Sequence, residues 1–267
     1  MTRSYLRWLR AQVKGSEVPV DPSFPEEPGG WLSSEPVLDA CRAPGRTCVS
    51  ALVQGGGRRS APLNGSKGCG GVMRIAPVGL VTDDPFEVGC DLAAITHGHP
   101  TGYLAAGAFA LIVSRLVAGA ALVEAAETAL LRLTTAGEDA RETAAALRVA
   151  LETAEETRSP EGIPGALGRG WIAEEALAIA MYCALVASDF EAGVLLAVNH
   201  GGDSDSTGAL TGQLLGTLWG LDAVPGSWLA GLEGRDVIQT LAEDLAAQFG
   251  DFDSGRPVPD YERYPPW

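Results

Sequence analysis

Along most of this chain, apolar residues return every three or four positions, and no stretch alternates convincingly between apolar and polar. The first spacing predicts amphipathic helices; strict alternation would predict half-buried strands. Phe86, Val88, Leu92 and Ile95 share one face of a helix predicted over 85–96. Further helices are predicted over 103–117, 122–133, 138–157, 170–187 and 189–198. Those over 122–133 and 138–157 carry many charges, as solvated faces do. Shorter helices are expected over 4–13, where Tyr5, Leu6, Trp8 and Leu9 are apolar, and over 36–41 and 48–54. A late helix with an acidic face is expected over 237–249. Residues 14–36 and 159–170 read as loops rich in Pro and Gly, and 221–228 as a turn. The Pro-rich, aromatic stretch 251–267 is expected to lie against the surface. The fold class that follows is all-α.

One predicted helix stands apart. Over 209–219, Leu214, Leu215 and Leu218 flank a stripe of Gly208, Gly212 and Gly216 at i, i+4 and i+8. Each glycine costs about 1 kcal/mol of helix propensity. Close packing must offset that, so this helix is expected to be among the most buried. In front of it runs Asn199-His200-Gly201-Gly202-Asp203-Ser204-Asp205-Ser206-Thr207-Gly208. The Gly-Gly pair reads as a sharp turn using φ > 0, with Ser206 or Thr207 as N-cap. Asp203 and Asp205 are then aimed at one point. Carboxylates and hydroxyls so arranged suit a hard divalent cation such as Mg²⁺ or Ca²⁺. No Cys/His cluster suggests zinc. The EF-hand pattern fails, because its last position falls on Leu214 rather than on a glutamate. That both aspartates are merely cap and turn residues stays open at this point.

A second informative stretch is Asn64-Gly65-Ser66-Lys67-Gly68-Cys69-Gly70-Gly71, followed by Val72-Met73-Arg74-Ile75-Ala76-Pro77. A glycine-rich turn can expose backbone N–H groups to a phosphate. The Walker A spacing is absent, and no strand precedes a dinucleotide-type GxGxxG. A surface connection explains the stretch equally well. Cys69 with His97 as base is a conceivable nucleophilic pair, but nothing in the sequence depresses the thiol pKa. His97 and His99 lie in a turn, where histidines commonly serve as structural hydrogen-bonders.

Composition narrows the class. With 267 residues the chain forms one large domain or two small ones, and 46% apolar residues suffice for a core. A net charge of −15 argues against nucleic acid or an anionic membrane as partner. Five scattered cysteines make no disulfide framework. Met1 to Arg10 lacks the apolar segment of a leader. The apolar run over 103–123 contains Ser114 and Arg115 and reads as a buried helix, not a membrane span. A reducing cytoplasm is the expected compartment.

Taken together, these motifs resemble the ADP-ribosylglycohydrolase family. The resemblance is carried by Asn64-Gly65-Ser66 through Met73-Arg74-Ile75-Ala76-Pro77-Val78-Gly79-Leu80, by Thr96-His97, by Gly170-Trp171-Ile172-Ala173-Glu174-Glu175-Ala176-Leu177, and by Gly201-Gly202-Asp203-Ser204-Asp205-Ser206. It implies a single all-α orthogonal bundle over 1–267 with a binuclear Mg²⁺ centre. It further implies that Asp203, Asp205 and Ser206 ligate metal, that Asn64, Gly65 and Ser66 hold the diphosphate and ribose, and that His97 lies near the nucleotide. A common cleft is then expected to join the acidic turn, the loop over 64–71 and His97.

The implied reaction is Mg²⁺-dependent hydrolysis of the glycosidic bond between ADP-ribose and a protein side chain or small molecule. No residue is assigned as catalytic. Relatives carry further metal ligands in a Thr-Asp-Asp-Thr motif ahead of the helix that Tyr5-Leu6-Arg7-Trp8-Leu9 resembles, and this chain starts at that helix. Thr82-Asp83-Asp84 ends in Pro85 and follows the glycine loop, so it reads as a decoy. The expectation is an N-terminally incomplete member that binds Mg²⁺ weakly and turns over poorly. The alternatives are a non-catalytic ADP-ribose-binding relative with half a metal site, or a helical interaction protein needing no metal.

Overall fold

The three-to-four spacing becomes helix over most of the described residues. The computed structural model describes residues 2–14, 30–157, 160–250 and 260–264. In chain order the helices are α1 (Thr2–Val13), α2 (Arg46–Val53), α3 (Pro85–Ala94), α4 (Pro100–Val117), α5 (Leu122–Thr134), α6 (Arg141–Glu156), α7 (Ala173–Val186), α8 (Phe190–Val198), α9 (Ser204–Trp219), α10 (Gly226–Gly231) and α11 (Arg235–Phe249). No strand occurs among the described residues; isolated bridges join Arg58 to Ala61 and Gly68 to Ile172. The all-α expectation holds.

Local chemistry sets the helix starts. Asp84 accepts a hydrogen bond from Glu87 N at 3.3 Å, with Pro85 in the first helical place of α3. The ring of His99 accepts from Thr101 N at 3.2 Å, and Pro100 opens α4. Asp189 accepts from Ala192 N at 2.8 Å ahead of α8. Such caps satisfy N–H groups that have no intrahelical partner. Elsewhere the boundaries differ from expectation. The helix expected from 170 begins only at Ala173, because Trp171 and Ile172 pair with the stretch around Gly68 and Cys69. Residues 36–41 yield a single 3-10 turn, Pro36–Leu38. The expectations for 14–36 and 251–267 fall largely outside the described residues.

The chain divides into two compact units. One comprises Met1–Gly56 and Ser227–Trp267. There α1 buries Leu6, Leu9 and Val13. The Gln12 side chain donates to Ala40 O at 3.2 Å and accepts from Arg42 N at 3.1 Å. Arg42 in turn reaches both carboxylate oxygens of Glu233 at 2.9 Å.

The other unit, Gly57–Gly226, is built around α4 and α7. Twelve of the 18 residues of α4 are buried, among α3, α5 and α7. This helix is long and apolar enough to cross a membrane, but it serves as a core helix. Eleven of the 14 residues of α7 are buried. In α9 only seven of 16 are, so α9 is not among the most buried helices. The reason lies in its glycines. A Cβ on Gly208 would come within 2.5 Å of Val198 Cγ1, but at Gly212 and Gly216 the nearest atoms are 3.9 Å away. The stripe therefore allows one close approach to α8, at its first position alone.

Candidate functional site

The turn between α8 and α9 is closed by its own side chains. Nδ1 of His200 accepts from Gly202 N at 3.1 Å, and its Nε2 lies 2.9 Å from the Thr207 hydroxyl. That hydroxyl donates to Ala197 O at 2.7 Å. Ser204 Oγ donates to His200 O at 3.1 Å. Neither Gly201 nor Gly202 takes a positive φ, contrary to the sequence reading. What requires glycine at 202 is proximity: a Cβ there would lie 1.9 Å from Arg169 O. The same carbonyl accepts from Asp203 N at 2.8 Å. The N-cap also differs from expectation, for it is Asp203, without a side-chain cap bond. Ser206 and Thr207 lie inside the helix and are buried.

The Asp203 carboxylate faces inward, 8% exposed. Its Oδ2 accepts from the Cys69 thiol at 2.8 Å, and that sulfur lies 3.3 Å from Ser206 Oγ. Burial first, then the neighbouring Asp205, raise the pKa of Asp203. The hydrogen bond from Asp203 holds the Asp205 carboxyl below its usual range. Of the two carboxyls, Asp203 is the one whose protonated form is favoured and Asp205 the one whose charge is favoured, the usual outcome when two carboxyls meet. Cys69 itself is pushed up to about 12, by burial first and then by Asp203. It is a protonated donor and not an activated nucleophile, so the Cys69–His97 pair finds no support here.

Cys69 belongs to the glycine-rich loop, which other bonds fix from behind. Asn64 Oδ1 accepts from Ser66 N at 3.0 Å and from Gly98 N at 3.1 Å, and its Nδ2 donates to Thr96 O at 2.9 Å. The Asn64 side chain thus ties the loop to the Thr96–His97 turn. Gly68 N donates to Ser66 Oγ at 3.3 Å, and Cys69 N to Trp171 O at 3.3 Å. The N–H groups of Ser66 and Gly68 are thus satisfied within the loop and that of Cys69 by Trp171, so these three are not turned outward. Gly65 opens onto free space, with nothing within 4 Å of a Cβ built there.

His97 is 2% exposed, its ring backing Gly68 and Gly71, and its Nδ1 lies 2.8 Å from Thr96 Oγ1. Burial first, then the charge of Arg74, lower its pKa to about 4. Lys67 Nζ leaves the loop for Glu142 at 2.8 Å and Glu174 at 3.0 Å. Trp171, 58% exposed, stands beside the loop.

Asp203, Asp205 and Ser206 thus come together, and Cys69 joins them to the loop of Asn64, Gly65 and Ser66 with His97 beneath it. Cys69 was missed as a structural partner, because its sequence context raises only the question of nucleophilicity. Met73 was missed too. Its sulfur lies 3.8 Å from Ser206 Oγ, and its carbonyl accepts from Gln213 Nε2 at 2.9 Å. Among the described residues, no group of three or more His, Cys, Asp or Glu is arranged to hold a metal ion.

Comparison with known proteins places the fold and the family. A family model described as ADP-ribosylglycohydrolase matches residues 1–253. An uncharacterised protein of Archaeoglobus fulgidus is 30% identical over 66% of this chain and 57% of its own length. The ADP-ribosyl-[dinitrogen reductase] glycohydrolase of Rhodospirillum rubrum is 29% identical over 78% of this chain and 64% of its own length. ADP-ribosylhydrolase ARH3 of Mus musculus is 28% identical over 69% of this chain and 58% of its own length. The chain thus spans less than two thirds of these curated relatives. A solved structure titled "ADP-ribosylglycohydrolase-related protein complex" superposes with a TM-score of 0.54 at 27% identity, over 91% of this chain and 95% of that one. The chain belongs to the ADP-ribosylglycohydrolase family.

Proposed function

We propose that this chain hydrolyses the glycosidic bond that links ADP-ribose to an acceptor, a protein side chain being the favoured kind. The observation that carries the reading is the 2.8 Å bond from Cys69 to Asp203. It makes one site of the acidic turn and the glycine-rich loop, the two motifs on which the family resemblance rests. The names of relatives point the same way. One, in Serratia proteamaculans, is named an ADP-ribosylarginine hydrolase, although it matches only 27% of this chain.

Cleavage at the ribose carbon next to the ring oxygen passes through an oxocarbenium-like state. Charge on the sugar then needs nearby carboxylates, and Asp205 is held ionised at the exposed edge of the turn. The open space at Gly65 would leave room for the diphosphate and ribose. Neutral His97 supports the loop from behind without adding charge.

Mg²⁺ fits the donor set in part. Asp203, Asp205 and Ser206 offer hard oxygens, which Mg²⁺ takes in octahedral geometry while keeping several waters. They would hold one ion, which when bound would orient ribose hydroxyls and polarise a water. A second ion would need carboxylates that are not gathered here among the described residues. That shortage favours a second reading, an ADP-ribose-binding relative with half a metal site.

Release of free ADP-ribose from ADP-ribosyl-arginine and ADP-ribosyl-serine peptides, with and without Mg²⁺, separates the two. Hydrolysis predicts Mg²⁺-dependent release that Asp205→Ala abolishes. Calorimetric binding of ADP-ribose without release selects the second reading. Neither binding nor release refutes both.

A further inference from the structure

The stretch 168–170 has no reactive group, yet it fixes the backbone of the acidic turn. Arg169 O accepts from Asp203 N at 2.8 Å, and the Arg169 guanidinium donates to Gly201 O. Gly170, at φ +82°, leaves no room for a Cβ beside Thr207, the nearest methyl being 2.8 Å away. One side chain holds this stretch in turn. Glu175, in the first turn of α7, accepts with the same oxygen from Arg169 N at 3.0 Å and Gly170 N at 3.1 Å. Its neighbour Glu174 reaches the other way, to Lys67 of the glycine-rich loop at 3.0 Å. Adjacent carboxylates at the head of a buried helix thus hold both halves of the site.

We propose that Glu175 is a positioning residue, setting the place of Asp203 through residues 168–170. The inference rests on reading the acidic turn as the functional site. It requires reach rather than charge, because both bonds are accepted by one oxygen from backbone N–H groups. Glu175→Gln keeps that oxygen, whereas Glu175→Asp keeps the charge and withdraws it by one methylene.

The test uses the full chain and two readouts, amide hydrogen exchange at Asp203 and Mg²⁺ affinity by calorimetry. In Glu175→Asp, exchange at Asp203 is expected to quicken about tenfold, and Mg²⁺ binding to weaken about tenfold, as when partners that orient ligands are lost. Glu175→Gln is expected to stay within about threefold of wild type on both. Asp84→Ala, which removes a remote helix cap, serves as a control that loses stability without touching the turn. No change in Glu175→Asp, the reverse pattern between the two variants, or an equal quickening in Asp84→Ala would each overturn the proposal. Wild-type protein that neither binds Mg²⁺ nor releases ADP-ribose would refute the functional reading. The exchange result would still decide whether Glu175 holds the turn.

Discussion

The thiol of Cys69 donates to the carboxylate of Asp203 across 134 positions of sequence. The bond needs a protonated sulfur, and burial supplies one by pushing the thiol up to about 12. A brief native treatment with iodoacetamide near pH 8 should therefore modify exposed Cys41 and spare Cys69, because the thiolate is the reacting species. Peptide mass spectrometry reads the outcome. Prompt alkylation of Cys69 would mean that its thiol is not held against Asp203.

His97 gives the protein a defined sensitivity to acid. Its folded pKa of about 4 lies below the ordinary 6.5. Above pH 6.5 the ring is neutral in both folded and unfolded chains. Between 6.5 and 4 the unfolded chain takes up a proton that the folded one does not. Stability is thus lost as pH falls through that window, by up to about 3 kcal/mol. Urea denaturation at pH 7 and pH 5 should show a smaller loss in His97→Gln than in wild type. Equal losses would mean that His97 is not buried in its neutral form.

The two glycines of the acidic turn should respond unequally. Gly202→Ala drives a methyl to within 1.9 Å of Arg169 O, which forces apart the turn and residues 168–170. A loss of about 1–3 kcal/mol is expected. Gly201→Ala meets nothing closer than a guanidinium nitrogen at 3.8 Å, and should stay within about 0.5 kcal/mol. Denaturant midpoints measure both, and equal effects would contradict the contact.

The helix stripe offers a similar contrast. Gly216→Ala should stabilise by about 0.5–1 kcal/mol, because alanine is the better helix former and its methyl finds ordinary contact with Phe190 at 3.9 Å. Gly208→Ala should destabilise, since Val198 Cγ1 stands at 2.5 Å. Thermal midpoints that rise in both variants would show that α8 and α9 are not in close contact.

The helices were legible because an apolar period depends only on the chain itself. Their starts were less so: 170–172 carries helical spacing, but Trp171 and Ile172 pair with the glycine-rich loop instead. The acidic turn was legible as a motif and misread as geometry. Gly201-Gly202 signals either unusual φ or close approach, and only the position of Arg169 O, over thirty residues earlier, decides between them. The glycine stripe was overvalued for the same reason, because spacing says nothing of what stands opposite. Cys69 and Glu175 went unassigned since each acts through a partner distant in sequence or through a backbone that carries no signature.

Glu174 and Glu175 are consecutive, and that adjacency has a mechanical consequence. Inserting one residue just after them, ahead of the buried remainder of α7, would swing both carboxylates by about 100° around the axis of that helix. Lys67 would be left with Glu142 alone, and the 169–170 amides would lose Glu175, in one step. Even a small, helix-favouring insertion such as alanine would do this. The head of α7 is therefore a place where the chain tolerates exchange of residue types more readily than any change in their number.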